Sequence, residues 1–202
     1  MDLDFGSLPA RTVYNLLTSA VTPRPIAWVT TVSKEGVVNA APYSFFNVMG
    51  HEPPTVALGL LRHQSRGTKD TAANILDTGE FVVNLVPAAL AGPMNMTAAD
   101  YAPGEDEIAL AGLAPVASRV VRPPRIDGCP VALECASHTS IMTGPGQFVV
   151  IGRVLSMHVR DDALLDPARG YIDAPALDLI SRMHGSGWYA RSTDLFQLER
   201  PG

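Results

Sequence analysis

Apolar and polar positions change their period several times along the chain, and each change marks an element. Across residues 9–20, Val13, Leu16, Leu17 and Ala20 recur at helical spacing, which predicts a short helix opened by Ser7 or Pro9 with one apolar stripe to lay on a core. Pro23 and Pro25 stop that helix and force an extended lead into IAWVTTVS (26–33), a strand by its β-branched and aromatic content. KEG (34–36) turns the chain into a second strand, VVNAA (37–41). His51, Glu52, Pro53 and Pro54 form a rigid connection into TVALGLL (55–61), whose unbroken apolar run predicts a strand buried on both faces. A helix follows over DTAANILDTG (70–79), with Thr68 or Asp70 as N-cap and Gly79 at its close, and then a further apolar strand, EFVVNLVP (80–87). Residues 88–113 read as an irregular excursion with two short helical pieces and a solvated acidic patch at 105–107. Two long strands, 123–142 and 147–161, are joined by the turn TGPGQ. Strands outnumber helices and arrive at hairpin spacing. The pattern predicts one domain over residues 1–202, mainly β, a barrel with helical additions rather than a doubly wound sheet. No GxGxxG follows a strand, which argues against the dinucleotide fold built on that turn.

Composition narrows the function classes. Hydrophobic residues make up 47% of the 202 and charged residues 17%, so the surface is poor in charge and a subunit interface is expected. The net charge of −5 and the scattered Lys and Arg argue against a nucleic-acid partner. No apolar run is long enough to span a bilayer and the first residues are too acidic for a secretory signal, so a cytoplasmic protein is expected. Cys129 and Cys135 lie too far apart for a CxxC pair and read as core thiols. The five histidines form no HxxxH or HxH pair, and no metal site is predicted.

Three stretches carry candidate chemistry. PYSFFN (42–47) fits neither a strand nor an ordinary loop: Tyr43, Phe45 and Phe46, with Ser44 and Asn47, follow directly on a strand edge. Either this loop packs on its own core, or it walls a flat apolar ligand edged by polar atoms. RHQSRGTKDTAAN (62–74) sets Arg66, Thr68, Lys69 and Thr71 about the start of a helix, where free N–H groups and the dipole favour a phosphate; simple capping is the competing reading. His184, Trp188, Tyr189 and Arg191 share a glycine-rich stretch, either a docked tail or a flap offering an imidazole and an arginine to a charged second substrate. Trp28 reads as a core plug.

Taken together, PRPIAWVTTVSKEGVVNAAPYSFFN, KDTAANILDTGEFVVNLV, the run from EIALAGL to ALEC, VVIGRVLSMHV and SRMHGSGWYAR resemble, in order, the flavin reductase-like family of FMN-binding split barrels. The resemblance implies a homodimeric split β-barrel of Greek-key type with FMN near the dimer interface and, in many members, hydride transfer from NADH or NADPH. It implies that Asn39, Ala41, Tyr43, Ser44, Phe45, Phe46 and Asn47 run along the isoalloxazine and ribityl chain, and that Arg66, Thr68, Lys69, Asp70 and Thr71 surround the phosphate. His184, Tyr189 and Arg191 become candidates for the second substrate. No catalytic acid–base side chain is nominated, because the flavin carries the hydride chemistry. Two flavin readings stay open, an NAD(P)H-dependent reductase, such as the small component serving a monooxygenase, and a flavoredoxin-like electron-transfer protein without a nicotinamide site. A small-molecule-binding or structural barrel without flavin is the third reading.

Overall fold

A computed structural model describes residues 1–61, 68–102, 104–199 and 201. After a 3-10 turn at Phe5–Ser7, helix α1 (Ala10–Ala20) starts behind Pro9 and leads to strands β1 (Arg24–Pro25), β2 (Ala27–Val32), β3 (Val38–Tyr43), β4 (Phe46–His51) and β5 (Pro54–Leu61). Helix α2 (Asp70–Thr78) precedes β6 (Glu80–Leu85); α3 (Ala91–Met96), α4 (Glu107–Leu110), β7 (Pro115–Val116) and β8 (Arg125–Ile126) follow. The long hairpin β9 (Val131–Gly144) and β10 (Gln147–Val159) comes next, then β11 (Leu164–Asp166), β12 (Tyr171–Ile172), β13 (Ile180–Arg182) and β14 (Tyr189–Arg191).

Seven strands form one sheet in the order β3-β2-β6-β9-β10-β5-β4, every neighbouring pair antiparallel. Its two edge strands, β3 and β4, are consecutive in the chain and separated by Ser44 and Phe45 alone. Two residues reach about 7 Å, whereas seven strands laid flat at about 4.8 Å spacing would hold their edges nearly 30 Å apart. The sheet therefore curls until its edges meet. They meet without a ladder of their own; the Gly59 N–H of β5 donates to the Phe45 carbonyl at 2.7 Å, which continues the β4–β5 pairing into the two-residue hinge, Ser44 and Phe45. This is a barrel with helical additions, as the pattern of strands predicted, and it is split, as the resemblance implied.

Alternation along each strand fills the barrel from inside. Ala27 and Val29 of β2, Val56, Leu58 and Leu60 of β5, Phe81 and Val83 of β6, and Phe148 and Val150 of β10 meet Ala72 and Ile75 of α2 in the main core. Outward residues of β2 and β6 are covered as well. Trp28 is fully buried in a second cluster with Ile26, Met94, Ile108 and Ile126, its indole N–H donating to Thr97 Oγ1 at 2.9 Å, so it is the plug expected of it. Val82 lies under Val121. Both cysteines are buried and unpaired, and burial pushes each thiol up to about 12.

Several expectations change. PYSFFN is not a loop: Pro42 and Tyr43 end β3, while Phe46 and Asn47 begin β4, an edge strand whose mixed composition hid it. Strand β5 is buried on one face only, since Ala57, Gly59 and Leu61 point out of the barrel and stay partly or largely open. Helix α1 does not lay its stripe on the core, because Leu17 and Ala20 are exposed and Thr18 is its buried residue. The acidic patch is not all solvated. Asp106 caps α4 by accepting from the N–H groups of Ile108 and Ala109, and Glu107 is buried.

Candidate functional site

The seam between β3 and β4 sets the site. Pro42 lacks an N–H and is tolerated here because β3 is an edge strand. Opposite the seam, a Cβ on Gly59 would come within 2.9 Å of Phe45 Cβ, so glycine is what lets β5 approach the hinge. Cavities open on both sides. One, of about 510 Å³, lies between α1, the hinge, β5 and β10 and is lined by Leu17, Arg24, Ser44, Phe45, Met49 and Gly59 among others. A smaller one, of about 190 Å³, connects Tyr14, Pro42, Tyr43, Ser44, Phe45 and Lys69. Behind Tyr43 a third, of about 150 Å³, is bounded by Asn39, Thr68, Lys69, Asp70, Thr71 and Glu107. Pro42, Tyr43 and Lys69 are common to the last two, and Ser44 and Phe45 to the first two.

Each nominated residue can now be placed. Tyr43, Ser44 and Phe45 form the hinge wall, the Phe45 ring meeting the Tyr14 ring edge-on at 6.2 Å. Ala41 lines the cavity behind Tyr43. Phe46 turns inward, 9% exposed, and joins the barrel core, while exposed Asn47 spends its Oδ1 on the Val48 N–H at 2.8 Å. Asn39 is buried and its carboxamide is engaged by protein. Oδ1 accepts from Thr71 Oγ1 at 2.6 Å and from Thr31 Oγ1 at 3.3 Å, and Nδ2 donates to Glu107 at 2.7 Å. Thr68 and Lys69 are exposed at the head of α2. Lys69 itself holds the N-cap position and makes no side-chain cap, and neither Thr68 nor Asp70 takes that position; Asp70 instead accepts from the Gly104 N–H at 3.1 Å. Gly79 closes the helix in the left-handed conformation, φ 73°, as the sequence required. Arg66 lies outside the described residues.

The C-terminal stretch is a hairpin beside the hinge rather than part of its lining. β13 pairs with β1 and β14. His184 stacks on the exposed Trp188 ring at 6.1 Å, Tyr189 lies under the Arg182 guanidinium, and Arg191 is held by Asp178 at 2.7 Å. The link to the site is Arg24, a residue the sequence reading missed. Its guanidinium donates to the carbonyls of Thr18 and Val21 at 2.6 Å each, to Met183 at 3.0 Å, and more weakly to Ser44 Oγ at 3.4 Å. An arginine between two prolines at the mouth of a strand was the available signal. Glu107 was also missed, and burial holds its carboxyl above the usual range. Tyr43 is pushed up to about 12, by burial first. Among the described residues no group of His, Cys, Asp and Glu could hold a metal.

A family model described as flavin reductase like domain matches residues 19–175. An uncharacterised protein of Deinococcus radiodurans is 43% identical over 202 residues, 98% of this chain and 88% of that protein. Among solved structures, nitrilotriacetate monooxygenase component B from Bacillus cereus is 35% identical with a TM-score of 0.92, covering 98% of both chains. The 2-nitrobenzoate 2-nitroreductase NbaA of Pseudomonas fluorescens is 31% identical with a TM-score of 0.90, covering 100% of this chain and 96% of its own.

Proposed function

We propose that this chain, which belongs to the flavin reductase-like family, binds FMN along the hinge groove and takes hydride from NADH or NADPH. One observation carries the reading: the residues Pro42, Tyr43, Ser44 and Phe45 wall cavities on both sides of the seam, and Lys69 at the head of α2 opens onto the same groove. The donor set fits the cofactor. An apolar cavity of about 510 Å³ lies in the range of small-molecule sites, and Phe45, Met49 and Leu61 offer it flat or yielding walls. Lys69, Thr68 and the first N–H groups of α2 suit a phosphate, with Arg66 as a further candidate.

When bound, FMN supplies the hydride chemistry itself. The chain's residues bind it, turn one face of it toward the donor and keep water out. About thirty non-hydrogen atoms at roughly 0.3 kcal/mol each give about 9 kcal/mol, a dissociation constant on the order of a micromolar or below. Of the C-terminal residues, His184 with its stacking partner Trp188 is the contact we assign to the nicotinamide, since Arg191 is already paired. The monooxygenase component among similar structures supports a role in supplying reduced flavin to a partner enzyme.

The test is an absorbance spectrum with saturating FMN, recorded before and after anaerobic NADH and then NADPH. Bleaching of a protein-bound flavin band by either donor is the expected result. A bound flavin that stays oxidised would transfer the reading to a flavoredoxin-like carrier. No flavin binding would overturn it.

A further inference from the structure

Arg24 stands between Pro23 and Pro25 at the side of the groove, 7% exposed, and its guanidinium holds three elements at once. The first is the end of α1. The chain leaves that helix at Val21, whose N–H takes the Leu17 carbonyl, and the Thr18 carbonyl has no helical donor. Nη1 donates to it and to the Val21 carbonyl at 2.6 Å each, where a cation also meets the negative end of the helix dipole. Nη2 donates to the Met183 carbonyl at 3.0 Å, and Nε reaches Ser44 Oγ in the hinge at 3.4 Å. All four acceptors are neutral oxygens. The planar fork is spent on geometry rather than on an ion pair.

Met183 is the informative partner. Strand β1 pairs with β13 as far as Arg24 opposite Arg182, and β13 pairs with β14 as far as Arg182 opposite Tyr189. Beyond that rung the chain turns through residues 184–187, with Gly185 and Gly187 at φ 59° and 81°, and the Met183 N–H closes the turn on the Trp188 carbonyl at 2.9 Å. The Arg182 guanidinium donates to the Gly185 carbonyl at 3.0 Å within the same hairpin. Among the described residues, the hydrogen bond that ties residues 183–188 to the rest of the molecule is the one from Arg24. His184 stacks on Trp188 in this turn, and neither lines the groove cavity.

We infer that Arg24 is a positioning residue, which holds the stack of His184 on Trp188 at a fixed place beside the hinge groove and so sets how a nicotinamide donor meets the ligand in that groove. This rests on the proposed assignment of that stack to the donor. A lysine would keep the positive charge near the end of α1, but its ammonium is a single point on a flexible stem and cannot span Thr18, Met183 and Ser44 together. Arg24→Lys therefore separates charge from geometry.

The experiment compares wild type, Arg24→Lys, His184→Ala and the double variant, each loaded with FMN. In Arg24→Lys the concentration of NADH or NADPH that half-bleaches the bound flavin should rise roughly three- to tenfold, the value of one hydrogen bond, and by more than the FMN dissociation constant rises. Because Arg24 acts through the stack, the double variant should need no more donor than His184→Ala alone. An unchanged donor requirement, equal weakening toward FMN and donor, or additive losses in the double variant would overturn the inference. NMR of the ligand-free wild type tests the clamp without any variant: the Arg24 guanidinium N–H groups should give separate signals, slow to exchange with water. A single averaged, rapidly exchanging signal would overturn it even if Arg24→Lys does not fold. If wild type binds no FMN, or none that a donor bleaches, the proposed function fails by itself and the NMR result alone decides the clamp.

Discussion

Lys69 and Glu107 border one cavity with opposite charges and opposite exposures, and they answer to substitution differently. Lys69 is exposed and its side chain makes no cap for α2, so the fold does not depend on it. Lys69→Ala should weaken FMN binding about tenfold or more, as expected for a hydrogen bond to a charged group worth about 1.5–3 kcal/mol. Its melting temperature should stay within a couple of degrees of wild type. Titration by flavin fluorescence and a thermal melt check both halves, and unchanged affinity would remove Lys69 from the proposed phosphate site. Lys69 was legible because a basic residue and two threonines stand at a recognisable helix start, and Tyr43, Ser44 and Phe45 because aromatics seldom crowd a turn. Glu107 was not. Beside Glu105 and Asp106 it looks like one of three solvated acids, and only its contact with a strand far back in the chain shows that it is buried. Asn39 was legible as a site residue, yet its carboxamide serves the protein, a distinction that a match of sequence blocks cannot make.

At the level of elements, the expectation of burial on two faces fails for β5, although the equally apolar β6 is covered on both, and the reason is physical. Both are apolar runs, but outward Val82 of β6 meets a covering segment through Val121, while outward Ala57, Gly59 and Leu61 of β5 open onto the groove. Apolar character along a strand does not say what covers its second face. The same blindness applies to α1, whose stripe edges the groove, and to β4, an edge strand with exposed residues at most positions. Inside the barrel the fit is tighter. Gly152 of β10 sits opposite Val56 of β5, and a Cβ there would fall 2.4 Å from Phe81 Cζ and 3.0 Å from its Cε1. Phe81 is fully buried among core residues and cannot swing away. Gly152→Ala should therefore cost about 1–3 kcal/mol by overpacking. Phe81→Leu in the same chain should return part of that loss. Chemical denaturation of the single and double variants measures it, and an alanine variant as stable as wild type would show that β10 can shift to make room.

For the whole molecule, the open side of the groove is the surface that calls for a second chain. Leu17, Val21, Val48 and Met49 are 46%, 60%, 62% and 58% exposed, contributed by α1, the segment after it and edge strand β4. Leu17, Val21 and Met49 line the cavity of about 510 Å³. Exposed apolar residues gathered on one face of a surface poor in charge mark an interaction site. We predict a homodimer joined over this face, with the mass in solution twice that of the chain. An interface of ordinary size covers about 800 Å² on each partner, and a buried carboxylate at its centre costs several kcal/mol. The double substitution Val48→Asp, Met49→Asp should therefore give a folded monomer at micromolar concentration. It should also bind FMN more weakly, because the groove would lose its cover on the β4 side. Light scattering and FMN titration of the same sample separate the two consequences. A dimer that persists would place the interface elsewhere, whereas a monomer with undiminished FMN affinity would mean that one chain builds the whole flavin site and that association serves only to cover apolar surface.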